Sequence, residues 1–421
     1  MSARSQTRIL VVGAGPAGLA AAIRAAESGA RVTLIDDNPR AGGQIWRNQK
    51  VAGSPDNGWF NRLSTLPVEF VPSAQVIACD PVRRTLLIET PSNAYEIVYD
   101  RLVLATGARE LLLPFPGWTL PNIMAAGGLQ ALAKSGLSLD RKRVVVAGSG
   151  PLLLATAAFF HAHGAIVKCI AEQASWSSLL RFAAHLLFHP AKLWQTLQLR
   201  ATLAGIPYLP GCWVESAHGA RSLEAVRLRR GARSWFEPCD YLALSYGLTP
   251  NLEVAQLLGC ARNATAVSVD AFQRTSIDHV YAAGECTGIG GADLALLEGQ
   301  IAGYAAAGEL ERAKKFFSSR RRAQRFANLL TRTFALRPQL LSLVREDTII
   351  CRCEDVIRAS LESVHSWRSA KLHHRCGMGP CQGRICGPIV EALFGWEPSS
   401  IRPPIFPARL ASLITEGAEH S

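Results

Sequence analysis

The start of the chain carries the pattern that most restricts its fold. An apolar run at residues 8–12 predicts a buried strand, and a glycine-rich turn at residues 13–18 follows it directly. Residues 19–28 are typical of a helix, and residues 31–35 of a second strand that ends at Asp36. A strand, a GxGxxG turn, a helix, a strand and an acid in this order predict the βαβ unit that binds a dinucleotide.

Each glycine of this turn has a predicted task. Gly13 permits the tight turn, Gly15 lets a pyrophosphate touch the backbone, and Gly18 allows the helix to pack closely on the strand. The helix N-terminus then faces the phosphates with its partial positive charge. Asp36 can accept hydrogen bonds from the ribose hydroxyls. The sequence therefore predicts a dinucleotide site here.

Three later segments, at residues 40–44, 102–107 and 280–285, decide which dinucleotide to expect. With them, the chain resembles the two-dinucleotide-domain flavoproteins related to glutathione reductase. In that family the Ala-Thr-Gly turn follows a strand near the flavin, and a late Ala-Ala-Gly-acid motif holds the ribityl chain. The resemblance implies FAD, with these further binding residues: Gly43, Gln44, Thr106, Gly107, Gly284 and Glu285. The acid is Glu285 here, where the family usually has Asp.

A damaged copy of the same unit follows in the middle of the chain. An apolar strand at residues 143–147 leads into Gly148 and Gly150, but the third glycine position holds Leu153. That bulk is expected to push helix and strand apart or to tilt the helix. The next predicted strand ends near Glu172. The copy is compatible with NAD, with another nucleotide such as ATP, or with a scaffold only.

Disulfide reduction is not expected of this chain. Relatives that reduce disulfides carry a CxxC or CxxxxC pair beside the flavin motifs, and neither occurs there. Cys286 follows Glu285 without a close sequence partner, so a packed thiol is the favoured interpretation.

Cysteines near the C-terminus predict a second redox site: Cys351, Cys353, Cys381 and Cys386. Residues two apart in an extended segment point to the same side, so the first pair can hold one site. The second pair converges only if Cys381 lies on a loop or a helix start, and the preceding glycines supply such a loop. An iron–sulfur cluster is favoured over zinc or inert thiols, because the flavin motifs upstream need an electron partner.

Two segments around these cysteines carry a family resemblance. Residues 347–356 and the glycine- and cysteine-rich run at residues 375–388 resemble a small [2Fe-2S] domain of the bacterioferritin-associated-ferredoxin type. After a two-domain flavoprotein, this module resembles the FAD-containing alpha subunit of heteromeric amino-acid dehydrogenases (D-hydroxyproline dehydrogenase, opine oxidase and hydrogen cyanide synthase). The resemblance implies the ligands Cys351, Cys353, Cys381 and Cys386. Cys376 is a competing candidate.

The resemblance also implies a division of labour. An FAD-dependent beta subunit oxidises the amino acid, and this chain accepts the electrons and passes them on through FAD and the cluster. A small ferredoxin-like gamma subunit fits the same hetero-oligomer. No catalytic residues can be assigned from the sequence. The alternatives are a stand-alone NAD(P)H-dependent flavin and iron–sulfur reductase, and a non-catalytic assembly scaffold.

The predicted fold is α/β: a glutathione-reductase-like flavoprotein with nested Rossmann units and a small C-terminal iron–sulfur domain. Its predicted segments are a first FAD-binding part (1–112), a nested degenerate NAD-like domain (113–241), a second FAD-binding part (242–310), a basic helical linker (311–345) and the iron–sulfur domain with a tail (346–421).

Charge and hydropathy suggest where such a protein works. The net charge is +12, but no nucleic-acid recognition module is visible, and much of the excess lies in the basic segment at residues 311–345. With eleven cysteines and no leader pattern, a cytoplasmic protein is expected. Residues 144–167 lack charged side chains, and a strand, turn and helix explain them better than a membrane span.

Residues 176–205 predict two helical pieces broken at Pro190, with an apolar stripe and a basic rim. Such a stripe fits a membrane surface, at most peripherally at its inner face, or the surface of a partner protein. Ordinary core packing is slightly favoured over either.

Overall fold

The computed structural model describes residues 7–46, 57–263, 265–397 and 401–414. Its strands are β1 (Arg8–Val12), β2 (Arg31–Ile35), β3 (Val68–Val71), β4 (Gln75–Asp80), β5 (Thr85–Glu89), β6 (Ala94–Val98), β7 (Arg101–Leu104), β8 (Ala108–Glu110), β9 (Ile123–Ala125), β10 (Arg143–Gly148), β11 (Ile166–Glu172), β12 (Tyr208–Pro210), β13 (Cys212–His218), β14 (Ala225–Arg230), β15 (Arg233–Pro238), β16 (Tyr241–Ser245), β17 (Leu248–Pro250), β18 (Val280–Ala282), β19 (Ile349–Cys351) and β20 (Val356–Ile357).

Its helices are α1 (Pro16–Glu27), α2 (Gly43–Trp46), α3 (Asn57–Thr65), α4 (Ala126–Lys134), α5 (Leu152–Ala162), α6 (Trp176–Leu186), α7 (Pro190–Thr202), α8 (Glu253–Leu257), α9 (Gly291–Ala306), α10 (Leu310–Lys314), α11 (Phe317–Thr333), α12 (Pro338–Leu341), α13 (Arg358–Leu361), α14 (Trp367–His374), α15 (Cys386–Phe394) and α16 (Leu410–Leu413). A short 3-10 turn spans Gly284–Thr287.

The chain divides into two compact units. The first comprises residues 1–109, 249–328 and 400–421. Its main sheet is parallel, in the order β18-β7-β1-β2-β3, and an antiparallel sheet β4-β5-β6 accompanies it. Helix α1 packs against α9, where small residues allow a close approach: a side chain at Gly299 would collide with the Ala17 carbonyl. These alanine- and glycine-rich contacts bury the first βαβ unit.

The second unit comprises residues 110–248 and 329–399. It repeats the parallel sheet in the order β12-β11-β10-β16-β9 and adds an antiparallel sheet β13-β14-β15. One hydrophobic core joins this half to the cysteine-rich segment. It contains Phe115, Trp118 and Trp367, and the Trp118 indole N–H donates to the Ile349 carbonyl at 2.7 Å. The cysteine-rich segment therefore packs on the middle part of the chain.

Both predicted βαβ units are present, and the α/β fold class is confirmed. Helix α1 begins directly after Gly15, whereas α5 begins one residue later relative to Gly150. The Leu153 side chain is fully buried in the apolar core around α5, and the expected displacement or tilt of that helix stays a prediction.

The uncharged run at residues 144–167 is divided among β10, α5 and β11, as predicted. Within the described part of the chain, no helix is both long and apolar enough to cross a membrane. The basic segment is helical, as expected, through α10, α11 and α12.

The two helical pieces predicted at residues 176–205 are α6 and α7. Core packing, the favoured interpretation of their apolar stripe, holds only for the inner face, where Phe182 and Leu186 are buried. It is wrong for Trp176, Leu180 and Leu187, which are more than half exposed.

The C-terminal tail belongs to the first unit. Ile405 N–H donates to the Ile77 carbonyl of β4 at 2.9 Å, and Arg409 forms an ion pair with Glu89 of β5 at 3.0 Å. The five-segment division predicted from the sequence places this tail with the iron–sulfur domain. That division stays a prediction.

Candidate flavin and thiol sites

The predicted flavin residues meet at one edge of the first unit's parallel sheet. In the strand order β18-β7-β1-β2, the carboxyl ends of adjacent strands lie side by side. Gly284 follows β18, Thr106 follows β7, Gly13 follows β1, and Asp36 follows β2. This edge is where open α/β sheets bind their ligands. Topology thus brings together residues that are separated by most of the chain.

The glycines of the first turn are held by tight packing. Gly13 has a φ of +101°, and a side chain there would collide with the Ala105 carbonyl. A side chain at Gly18 would collide with the Gly13 carbonyl. Gly15 differs, because among the described residues beyond its chain neighbours a Cβ there would meet nothing nearer than the Gly43 Cα, at 3.9 Å. The turn therefore leaves open the one position where a pyrophosphate would touch the backbone, which fits FAD.

The carboxylate of Asp36 is buried and holds the glycine turn by hydrogen bonds. It accepts hydrogen bonds from the Ala14 N–H at 2.5 Å and from the Asn38 N–H at 2.8 Å. A carboxylate has about four lone-pair sites, so further hydrogen bonds from ribose hydroxyls remain compatible with these. Gly43 also lies at the turn, with a φ of +58° and a Cβ position 2.9 Å from the Gly15 Cα, whereas Gln44 is exposed.

The Ala-Thr-Gly turn after β7 is fixed by a reciprocal pair of hydrogen bonds. The Thr106 hydroxyl donates to the Asn251 carbonyl at 2.7 Å, and the Asn251 side chain donates to the Thr106 carbonyl at 2.8 Å. Gly107 accepts from the Asn251 N–H at 3.0 Å and has a φ of +67°. Asn251 is a positioning residue that no sequence motif singled out.

The turn after β18 holds two carboxyl groups. Glu285, the predicted acid, is half-buried, and burial raises its pKa. Glu298, on α9, accepts from the Gly284 N–H at 2.9 Å and from the Thr287 hydroxyl at 3.0 Å. Burial raises the pKa of Glu298 to about 7 despite these hydrogen bonds. The sequence held a signal for it, since Glu298 is the only charged residue between Asp293 and Glu309.

The second glycine turn is covered by the chain itself. A Cβ at Gly150 would lie 3.7 Å from the Phe334 ring, whereas a Cβ at Gly15 would lie 3.9 Å from the Gly43 backbone. The Ser149 hydroxyl donates to the Phe334 carbonyl at 3.0 Å. Phe334 also contacts Phe182 edge to face, with ring centroids 5.3 Å apart. The Phe334 ring therefore lies against Gly150 on the side where a Cβ would project, which is the side that a pyrophosphate approaches in a working dinucleotide turn.

Side chains beneath this turn hold the cover in place. Gln173 is fully buried, and its amide donates to the Ala335 carbonyl at 3.0 Å while its oxygen accepts from the Arg337 N–H at 3.2 Å. Glu172 accepts from the Gly150 N–H and the Ala174 N–H, both at 2.8 Å. Burial raises the pKa of Glu172 to about 7. Of the predicted second-site residues, Gly148, Gly150 and Glu172 do lie together, but under this cover.

Three C-terminal thiols converge in the second unit: two of the predicted ligands and the competing candidate Cys376. The sulfur atoms of Cys351, Cys376 and Cys386 all lie within 4.8 Å of one another. Cys386 begins α15, and Cys381 lies in the turn before it, as the five-residue spacing required. The Gly377 N–H lies 3.4 Å from the Cys351 sulfur, so backbone donors do approach the thiols.

All four predicted ligands line one cavity of about 300 Å³, together with Leu112, Arg352 and Ile385. Cys376 does not line it, although its sulfur belongs to the close group of three. The close group and the cavity wall therefore share Cys351 and Cys386, but only the wall includes Cys353 and Cys381 and only the close group includes Cys376. The cavity wall is the better guide to the ligands, because a cluster needs room as well as sulfur. A donor set of thiols around such a space fits a metal cluster, whose type remains a prediction.

Hydrogen bonds between the thiols make some of them acidic. A hydrogen bond from Cys386 lowers the pKa of Cys381 to about 5, and hydrogen bonds from Cys376 and Cys386 lower that of Cys351. Thiolates are the metal-binding form of cysteine. Glycines are required beside them, because a side chain at Gly379 would collide with the Cys353 Cβ.

Comparison with protein families identifies the flavoprotein part. The family of pyridine nucleotide-disulphide oxidoreductases matches residues 7–314. The chain belongs to this family. It is a flavin-dependent oxidoreductase, and membership supports FAD as the cofactor of the open glycine turn.

Curated relatives extend over nearly the whole chain. Hydrogen cyanide synthase subunit HcnB of Pseudomonas protegens is 31% identical, over 90% of this chain and 89% of its own length. The A subunit of opine oxidase from Rhizobium meliloti (strain 1021) is 32% identical, over 96% of this chain and 97% of its own length. Both are named as subunits, which supports a flavoprotein oxidoreductase subunit within a hetero-oligomer.

A solved structure has the same fold. L-proline dehydrogenase from P. horikoshii matches 97% of this chain and 79% of its own with a TM-score of 0.71 and 18% sequence identity. This likeness shows that the fold is shared over nearly the whole chain.

Proposed function

We propose that this chain is the electron-relay flavoprotein subunit of a heteromeric amino-acid or imino-acid dehydrogenase. The observation that carries the proposal is the contrast between the two glycine turns. A Cβ at Gly150 would meet the ring of Phe334, a residue far away in the chain, at 3.7 Å, whereas among the described residues beyond its chain neighbours a Cβ at Gly15 would meet only the backbone Cα of Gly43, at 3.9 Å. A flavin site is therefore available while the nicotinamide site of a reductase is covered. Electrons then have to come from a partner rather than from NAD(P)H.

The substrate class is taken from the relatives. The A subunit of opine oxidase is similar along almost the entire chain, and opines are amino-acid derivatives. A substrate of the D-hydroxyproline, opine or glycine type fits this relationship. The proposal assigns amine oxidation to an FAD-dependent beta subunit, which supplies the catalytic residues for that step. A small ferredoxin-like gamma subunit is compatible with the same complex.

Two sites of the chain would serve the relay. FAD would be held at Gly13, Gly15, Gly18, Asp36 and the turns at Thr106 and Gly284, and a [2Fe-2S] cluster by Cys351, Cys353, Cys381 and Cys386. When bound, FAD can take up an electron pair and a cluster carries single electrons. The protein's own part is to hold both groups and to keep water and nicotinamide away from the covered turn.

Anaerobic NADH is expected to leave the flavin of the purified chain oxidised. The Phe334 ring occupies the pyrophosphate position, so NADH has no dinucleotide turn to bind. Flavin absorbance after rapid mixing is the measurement. Chemical reduction with dithionite in the same cuvette is the control, because it shows that the flavin can be reduced. Bleaching by NADH within the mixing time would instead support the stand-alone NAD(P)H-dependent reductase, and a protein purified without flavin or iron would support a scaffold.

The isolated chain is expected to show no turnover with D-hydroxyproline, proline, glycine or opines and an artificial dye acceptor. Co-expression with an FAD-dependent beta subunit should restore dye reduction with one of them. The reason is that the chain offers a relay without an assigned amine-oxidising pocket. Substantial turnover by the single chain with any of these substrates would place the substrate site in this chain and overturn the proposal.

A further inference from the structure

Helices α6 and α7 and the turn between them expose large apolar side chains that soluble proteins usually bury. The exposed fraction is 60% for Trp176, 63% for Trp194 and 83% for Phe188 in the turn between the helices. Further large side chains that are more than half exposed on this pair are Leu180, Leu187 and Leu197. We call this set of six the hairpin patch. A patch of this kind marks a surface that binds something.

The hairpin patch is not the result of helices that fail to pack. On the inner face of α6, Phe182 and Leu186 are buried, and after α7 Leu203 is fully buried in the core around α5. The Ser175 hydroxyl caps α6 by accepting from the Ser178 N–H at 3.1 Å. Helix α6 is therefore anchored by its inner face, whereas α7 contacts the core through the partly buried Leu199 and is held by Leu203 directly after it.

The charge of this segment has a single sign. No Asp or Glu occurs between Glu172 and Glu215, and Glu172 itself is fully buried. The same stretch carries Arg181, Lys192 and Arg200, of which Arg181 is exposed on α6. A carboxylate would be repelled by an anionic surface, and each nearby cation is attracted to one.

We propose that the hairpin patch binds the surface of a membrane that contains anionic lipid. Two short helices, of 11 and 13 residues, expose tryptophan and leucine, the turn between them exposes Leu187 and Phe188, and the charged side chains of the segment are all basic. This is the composition of helices that lie in the headgroup region and insert their apolar side to a depth of about 5–10 Å. Phe188 and Leu187, at the turn, would insert farthest.

The charge pattern favours lipid over a protein partner. The rim of a protein interface is polar and accepts charges of both signs. Anionic lipid instead disfavours every carboxylate near the patch, which matches the acid-free stretch between Glu172 and Glu215. The pair of tryptophans fits as well, because tryptophan is enriched at the level of the headgroups.

The test is co-flotation of the purified full chain with vesicles. Wild-type protein is expected to float with vesicles of phosphatidylglycerol and phosphatidylcholine, less with phosphatidylcholine alone, and less as salt rises. Leu187→Ser with Phe188→Ser should weaken binding more than about tenfold, because two exposed side chains lose their apolar burial. Arg181→Glu should weaken binding to the anionic vesicles selectively.

Leu410→Ser is the matched control. Leu410 is 75% exposed on α16 of the other unit, so the change removes an exposed apolar side chain outside the patch. It should leave flotation unchanged, and bound flavin should be equal in all variants. If wild-type protein does not float with anionic vesicles, or if the double variant floats equally well, the proposal is wrong. Loss of beta-subunit binding by the double variant, without any vesicle binding by wild type, would assign the patch to a subunit interface instead.

Discussion

Gly15→Val is expected to produce a folded protein that has lost FAD. Gly15 has an extended backbone, with a φ of −73° and a ψ of −175°, which valine adopts readily. Among the described residues beyond its chain neighbours, a Cβ there meets no atom closer than 3.9 Å, so the fold has room for it. The pyrophosphate of FAD would collide with the valine side chain, and a clash of about 3 kcal/mol weakens FAD binding by about a hundredfold.

The measurement is flavin released per chain, together with the far-ultraviolet circular dichroism of the purified protein. Gly18→Val serves as the contrasting variant. A side chain at Gly18 collides with the Gly13 carbonyl, so this change should unfold the first unit, whereas Gly15→Val should only remove FAD from it. Full retention of FAD by folded Gly15→Val would show that the dinucleotide is not bound at this turn.

Replacing a cluster ligand is expected to remove iron and acid-labile sulfide completely while FAD stays bound. Cys381→Ser and Cys386→Ser each take one thiol from the wall of the cavity. Serine is nearly isosteric but a poor ligand for iron, so a four-thiolate site loses its cluster. The flavin residues lie in the other unit, and their hydrogen bonds do not involve these thiols. Elemental analysis of protein prepared without oxygen, with flavin measured in the same sample, is the readout.

Cys376→Ser is the matched control for the ligand choice. Cys376 is as buried as Cys386 and its sulfur lies in the same close group, but it does not line the cavity. Iron should therefore persist in this variant. If Cys376→Ser loses iron while Cys386→Ser or Cys353→Ser keeps it, the ligand set is wrong. Zinc in place of iron in the wild-type protein would refute the cluster itself.

Much of the fold follows from short patterns in the sequence. The turn at residues 13–18 and its copy at Gly148 and Gly150 both lie between a strand and a helix, as predicted. The spacing of Cys381 and Cys386 correctly required a turn before a helix start. These predictions succeed because a glycine at a tight turn, or a thiol at a helix start, is governed by the backbone geometry of neighbouring residues.

Other features depend on contacts between distant residues. The fingerprint at Gly150 resembles a nucleotide turn that lacks only one glycine, and no local pattern shows that Phe334 lies upon it. The apolar stripe of α6 is equally typical of a core, a partner surface or a membrane surface, and only packing separates buried Phe182 from exposed Trp176.

The sequence by itself predicted the two strand–turn–helix units and the segments whose thiols can meet, since glycine and cysteine spacing specifies local backbone geometry. The tertiary structure alone decided that the Phe334 ring lies on the second glycine turn, that Cys376 does not line the cavity, and which side chains of α6 and α7 are exposed. The physical reason is that the space around a residue is set by whichever segments pack against it. Those segments lie far away in the chain, where periodicity and spacing carry no information about them.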